Sequence, residues 1–230
     1  MKKNLSLNTW IFIVSYFIFI SCSHKNYSSG YFEQQTAGHK IIAILPAEMI
    51  FTGIQPKNIT SQQIDSIEES ESKIFQASLQ NSILHYANTR RYYMTVSIQD
   101  INTTLNLMEQ HNVSLRDSWK MNAKDLCKIL NVDAVVRLTI VKQRYMSDYA
   151  SYGVNVAEKI LGGVGRSRLP IPSNAGKTND ISVTCNLLSE NITLWNDYYK
   201  GISDWNTPPN IVIGNITDRF GERFPYKKRR

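Results

Sequence analysis

Several residue groupings in this 230-residue chain have types that could support chemistry. Gly176-Lys177-Thr178 matches the end of a phosphate-binding loop, in which backbone amides and a lysine cradle phosphate oxygens. That motif also needs glycine at 171, a strand before it and a helix after it. Here Ile171 sits between Pro170 and Pro172, and a strand pattern follows, so nucleotide binding is not expected. His24, His39, His85 and His111 show no metal-ligand spacing, and His85 falls on a helical pattern where a surface or half-buried side chain is the plainer reading. No metal and no cofactor are expected. Serine, aspartate and histidine could converge in space, but no Gly-x-Ser-x-Gly elbow or other local sign of an activated nucleophile exists. A catalytic role is therefore not expected, and an uncharacterised hydrolase stays as the weakest alternative.

The cysteines carry a clearer signal. Lys2 and Lys3 precede an almost wholly apolar stretch from Trp10 to Ile20, which ends at the small residue Ser21 before Cys22. This is the layout of a signal peptide over residues 1–21, and the apolar run is well short of the roughly 20 residues that span a bilayer. Phe19-Ile20-Ser21-Cys22 resembles a lipobox, with cleavage between Ser21 and Cys22 and lipid on the cysteine; Phe19 departs from the usual leucine. Several acyl chains on one residue give a lasting membrane tether. Cys127 and Cys185 then remain for an oxidising compartment. Each sits at an apolar position of an expected helix or strand, so two buried thiols are expected, with a disulfide as the alternative.

Composition sets the scale of what is anchored. An apolar content of 42% suits one domain with a real core. The formal charge of +7 includes Lys2 and Lys3, and Lys227, Lys228, Arg229 and Arg230 at the other end, so the body between is close to neutral. A nucleic-acid binder would spread its basic residues over a face, and none is expected as a partner. The basic tail 227–230 reads as solvated, with anionic lipid head groups or an acidic partner as the sharper alternative.

Residues 22–39 are polar after the cysteine and read as a flexible tether. Ile41 to Pro46 is a nearly continuous apolar run, the pattern of a strand covered on both faces. Thr60 and Gln63 form a capping-box pair, followed by Ile64, Ile67, Ile74, Phe75, Leu79 and Ile83 at helical spacing up to Thr89. Arg91 to Ile98 reads as a strand; Asp100 and Asn122 cap two further helices, and Asn131 suits a left-handed helix end. Ala134 to Val141 is a strand. Ile181, Val183, Cys185 and Leu187 alternate with polar residues, and Leu194 to Ile202 returns antiparallel through Glu190-Asn191. Thr207 caps a last helix whose core face is Ile211 or Val212, Ile216, Phe220 and Phe224. The expected fold is α/β (α+β), a mixed sheet of about five strands in the order β-α-β-α-α-β-β-β-α with helices packed on it. One domain spans 40–226.

The opening IIAILP strand, the long helix before Tyr92, the helix running into Asn131-Val132-Asp133-Ala134-Val135-Val136 and the hairpin with Trp195 together resemble a superfamily of bacterial envelope lipoproteins. Its members include the curli secretion channel lipoprotein, the lipoprotein activator of penicillin-binding proteins and small lipoproteins related to a neisserial antigen, with a core similar to the amino-terminal domain of TolB. The resemblance covers roughly Lys40 to Phe224, and its short hydrophobic motifs specify fold rather than activity. It implies a non-enzymatic protein that binds, oligomerises or builds an outer-membrane assembly, and it carries over no catalytic residue.

Tyr149 to Lys177 is long for a connection inside a compact domain. Val156, Ile160, Leu161, Gly162 and Gly163 beside Arg166 and Arg168 could contact a partner or the membrane surface; a mobile loop is the plainer alternative. The leading expectation is a non-catalytic lipoprotein of the cell envelope, lipid-anchored at the periplasmic face of the outer membrane, that binds another envelope protein or self-associates. A subunit of a secretion or transport assembly is the alternative.

Overall fold

In the computed structural model, the described residues are 27–53, 60–144, 179–190, 192–203 and 209–230. Residues 1–26, which hold Ser21 and Cys22, fall outside them, as do Thr207 and the whole of 149–177.

The strand Ile41–Ile44 (β2) lies at the centre of the fold because it can be buried on both sides. Ile42 and Ile44 enter one apolar cluster, Ala43 and Leu45 the other, and all four are essentially inaccessible. This explains the unbroken apolar run. Beside it lies Ala134–Arg144 (β6), parallel to β2 through Ile42↔Ala134 and Ile44↔Val136, and then the antiparallel hairpin Asn179–Ser189 (β7) and Ile192–Ser203 (β8). The hairpin turns at Glu190, whose φ is 52°. Tyr27–Ser28 (β1) pairs antiparallel with β8, Ser97–Ile98 (β5) pairs parallel with β2, and Glu48–Gly53 (β3) extends along β6 beyond the end of β2. The result is a seven-stranded mixed sheet in the order β1-β8-β7-β6-β2-β5, with β3 also on β6. The fold is α/β with parallel and antiparallel halves, as expected, but with more strands.

Two helical layers cover the sheet. On one face lie Ser61–Ala87 (α2) and Pro209–Arg223 (α6), whose Phe75, Leu79, Ile83, Ile216 and Phe220 meet the alternate residues Ile181, Val183, Cys185 and Leu187 of β7. Thr60 and Gln63 cap α2 reciprocally, as their spacing requires. The two helices approach closely at Gly221, where a Cβ would stand 2.7 Å from the backbone carbon of Ser82. Ile211, one of the two candidates for the first core position of α6, is half exposed, and Val212 packs on the core in its place.

On the opposite face Ile101–Gln110 (α3) and Ala123–Leu130 (α5) pack Met108, Leu126 and Leu130 against Ala43, Leu45 and Val135. Asp100 and Asn122 cap them, and Asn131 closes α5 at φ 52°. Between them stands the short helix Leu115–Lys120 (α4), whose Arg116 reaches Asp65, Glu68 and Glu69 of α2 at 2.9, 2.7 and 3.2 Å.

Three expectations need correction. The strand over 91–98 is divided. Thr95 bonds the Tyr226 carbonyl and Val96 turns into the core, so Tyr92–Met94 (β4) leaves the main sheet. The basic end is exposed at Lys228, Arg229 and Arg230, as a solvated tail is, but is nonetheless held in the fold, since Lys227–Arg229 (β9) pairs antiparallel with β4. The tether expected over 22–39 contributes, from Tyr27 onward, both β1 and the short helix Phe32–Thr36 (α1); Phe32 packs on the core, its ring tilted against that of Tyr226 at 5.5 Å. Phe32 and Tyr226 have the apolar area to hold this strap down, a signal hidden among the serines and glutamines around them.

Candidate functional site

The sequence placed its site residues at Ser21, Cys22, Val156, Ile160, Leu161, Gly162, Gly163, Arg166 and Arg168, and all of these lie outside the described residues. So do Gly176, Lys177 and Thr178. The described residues hold instead a polar cleft at the end of the sheet where β2 and β6 begin and β7 ends.

The cleft follows from how α5 stops. Asn131 takes the left-handed conformation, which turns the chain back on itself, and the Val132 N–H donates to the Cys127 carbonyl. Asp133 therefore arrives beside the start of β2, where its Oδ2 accepts from the N–H groups of Lys40 (2.6 Å) and Ile41 (2.9 Å). The Ser189 hydroxyl donates to the Asp133 carbonyl at 2.8 Å, which ties in the end of β7. His39, Lys124, Cys127, Lys128, Asn131, Val132, Asp133, Ser189 and Glu190 surround a space of about 450 Å³. Behind it, His39 Nδ1 stands 2.5 Å from the Tyr226 hydroxyl.

Protonation limits the chemistry. Burial opposes the Asp133 carboxylate, but the Ile41 and Lys40 N–H groups, aided by the charges of His39 and Lys40, outweigh it and hold its pKa below the usual value. His39 is lowered by partial burial, against the pull of Asp133, so the imidazole is neutral near pH 7. Burial pushes the Cys127 thiol up despite a hydrogen bond with the Glu190 backbone, and the negative charges of Asp133 and Glu190 push it further. Only a thiolate is a strong nucleophile, so Cys127 beside His39 is not an activated pair. The rim offers ammonium groups at Lys124 and Lys128 and carboxylates at Asp133 and Glu190, which suit recognition of a polar, charged group.

The other residues weighed in the sequence are dispersed. His85 lies on α2 with its ring edge-on to Tyr86 at 5.0 Å, and His111 caps α3. Among the described residues no group of three or more His, Cys, Asp and Glu could hold a metal ion. Cys185 is fully buried in the cluster under α2 and α6, whereas the half-exposed Cys127 packs on the opposite side of the sheet, and both thiols are free. The cleft itself was not legible as a site, because it joins positions 39, 124–133 and 189–190; Asp133 was seen only as part of a strand motif.

Among the described residues no helix is long and apolar enough to cross a membrane. No protein-family profile and no curated protein sequence matches the chain. Similar solved structures include lipoprotein GNA1162 of Neisseria meningitidis, at 10% identity over 80% of this chain and 96% of that one, with a TM-score of 0.39. The LpoB C-terminal domain of Salmonella enterica follows at 9% identity over 72% and 83%, with a TM-score of 0.35. A PelC dodecamer of Paraburkholderia phytofirmans is similar at 11% identity over 87% and 94%, with a TM-score of 0.37. Scores of this size set no family for the chain, and the functional reading rests on its own residues.

Proposed function

We propose that the chain is a non-catalytic lipoprotein of the bacterial cell envelope, anchored by lipid on Cys22, whose α/β domain binds another envelope component. The observation that carries this reading is the leader itself. Two lysines, an apolar run too short to span a bilayer and a small residue directly before Cys22 together form a lipoprotein export signal. The cleft supports the non-catalytic part, since its thiol is held protonated and its charged rim suits binding.

The polar rim suits an envelope protein or a peptidoglycan-associated enzyme as the bound component, and the lipid anchor suits the periplasmic face of the outer membrane as the place. Cell fractionation of a Cys22→Ala variant tests the anchor. The variant should keep its fold and leave the membrane fraction; full retention there would overturn the reading. Cross-linking from Lys124 or Lys128 to a single envelope protein is the expected sign of binding, and a cleft that captures nothing in cells would count against it.

A further inference from the structure

We infer that β4 and β9, with the arginines that flank them, form a cationic surface that lies on the anionic head groups of the membrane beside the anchor. The inference rests on the proposed lipid at Cys22 and adds a second, electrostatic contact to it.

The length of chain between anchor and domain comes first. Only residues 23–26 separate Cys22 from β1, and five residue steps reach at most about 18 Å even when fully extended. The strap of β1 and α1 must therefore sit close to the bilayer. It is compact: the Phe32 N–H donates to the Ser29 carbonyl, and the Ser29 hydroxyl donates to Gln35 at 3.1 Å.

The strap is joined directly to the basic end of the chain. Lys228 Nζ lies 3.2 Å from Glu33 of α1, and Phe32 packs on Tyr226 immediately before β9. Register then gathers the charges. Pairing of Tyr93 with Lys228, and the bond from the Arg230 N–H to the Arg91 carbonyl, set Arg91, Lys228 and Arg230 on one face of the ribbon, with Arg229 beside Tyr92 on its other face and Arg90 next to Arg91 in the chain; all five are exposed. Among the described residues Glu33 pairs with Lys228, and Glu222 acts on Lys227. Lys227 is turned aside, over the Tyr92 ring at 4.9 Å.

Aromatic exposure agrees with a head-group setting. Tyr27, Tyr31 and Tyr93 are exposed on the strap and on β4, and tyrosine favours the membrane–water interface because its ring is apolar and its hydroxyl polar. A basic segment within a Debye length of an anionic leaflet is attracted to it, and the short link to Cys22 lets these residues come within that range.

Every described element follows Asn26, so the unlipidated chain from Ser23 to Arg230 carries the whole described fold. Its binding is measured by cosedimentation with phosphatidylglycerol/phosphatidylethanolamine vesicles and with phosphatidylcholine vesicles. Partitioning to the anionic vesicles should be about tenfold stronger, and should be lost both in about 0.5 M NaCl and in the triple variant Arg91→Glu, Arg229→Glu, Arg230→Glu. Circular dichroism confirms that the variant is folded; the salt result stands without it. Equal binding to both vesicles, no binding, or binding indifferent to salt would overturn the surface. Loss of the Cys22 anchor is read separately by fractionation of the full chain, so the two claims can fail independently.

Discussion

His39 Nδ1 and the Tyr226 hydroxyl stand 2.5 Å apart, joining a residue just before the first core strand to one just before the last. The pair closes the fold at the end where the cleft opens. Partial burial lowers the His39 pKa and burial raises that of Tyr226, so both are neutral at pH 7. Removing the hydroxyl in Tyr226→Phe leaves the imidazole short of a partner and should cost about 1–2 kcal/mol, read from the midpoint of urea unfolding.

The same histidine gives a pH dependence of known sign. Its folded pKa lies below the ordinary 6.5, so the unfolded chain binds the proton more readily. Stability should fall as pH drops through 6.5 toward the lowered folded value, and Asp133, also lowered, should add a further loss below its ordinary 3.8. Thermal melts of wild type and His39→Gln between pH 7 and 5 check this. The variant should show a flatter slope over that range, and identical slopes would exclude His39 as the source.

Gly221 is where α6 touches the backbone of α2. A methyl group there would meet the carbonyl carbon and oxygen of Ser82 at 2.7 and 2.8 Å, which only a shift of one helix relieves. Gly221→Ala should therefore destabilise by about 2 kcal/mol despite the better helix propensity of alanine. Gly214 on the same helix has open space at its Cβ, so Gly214→Ala is the matched control and should be neutral or stabilising.

Asp197 of β8 has no exposure and lies 3.7 Å from both Arg219 and Arg223, whose side chains are about one third exposed. The arginines can rehydrate when the carboxylate is removed; the carboxylate cannot when they are. Replacing both arginines by alanine should thus cost about 3 kcal/mol, more than Asp197→Asn does. Chemical denaturation of the two variants gives the order directly.

The two thiols should behave as their burial dictates. Cys185 should resist an aromatic disulfide reagent until the chain unfolds, while Cys127 reacts slowly, its thiol held protonated. The sheet stands between them, so mild oxidation should produce no bridge linking Cys127 to Cys185.

Much of the fold was written in local pattern. The Thr60–Gln63 capping pair, Asn131 at a left-handed helix end and the alternation from Ile181 to Leu187 each encode their element within a few residues, and the structure has all three. What escaped depends on distant partners. β9 exists only because Tyr92–Met94 is there to receive it, and β1 only because β8 has an edge to offer. The cleft is illegible for the same reason, being a meeting of His39, Asp133 and Ser189 across the fold. The proposed export signal is the opposite case, a wholly local pattern of residues that needs no fold to be read.

The central claim is that Cys22 carries the lipid, and mass spectrometry of the amino-terminal peptide of the protein isolated from its native membrane tests it most directly. The peptide should begin at Cys22 and carry a diacylglyceryl group on sulfur with an acyl chain on the new amino group. A peptide that begins before residue 22, or one with an unmodified Cys22 thiol, would contradict the account.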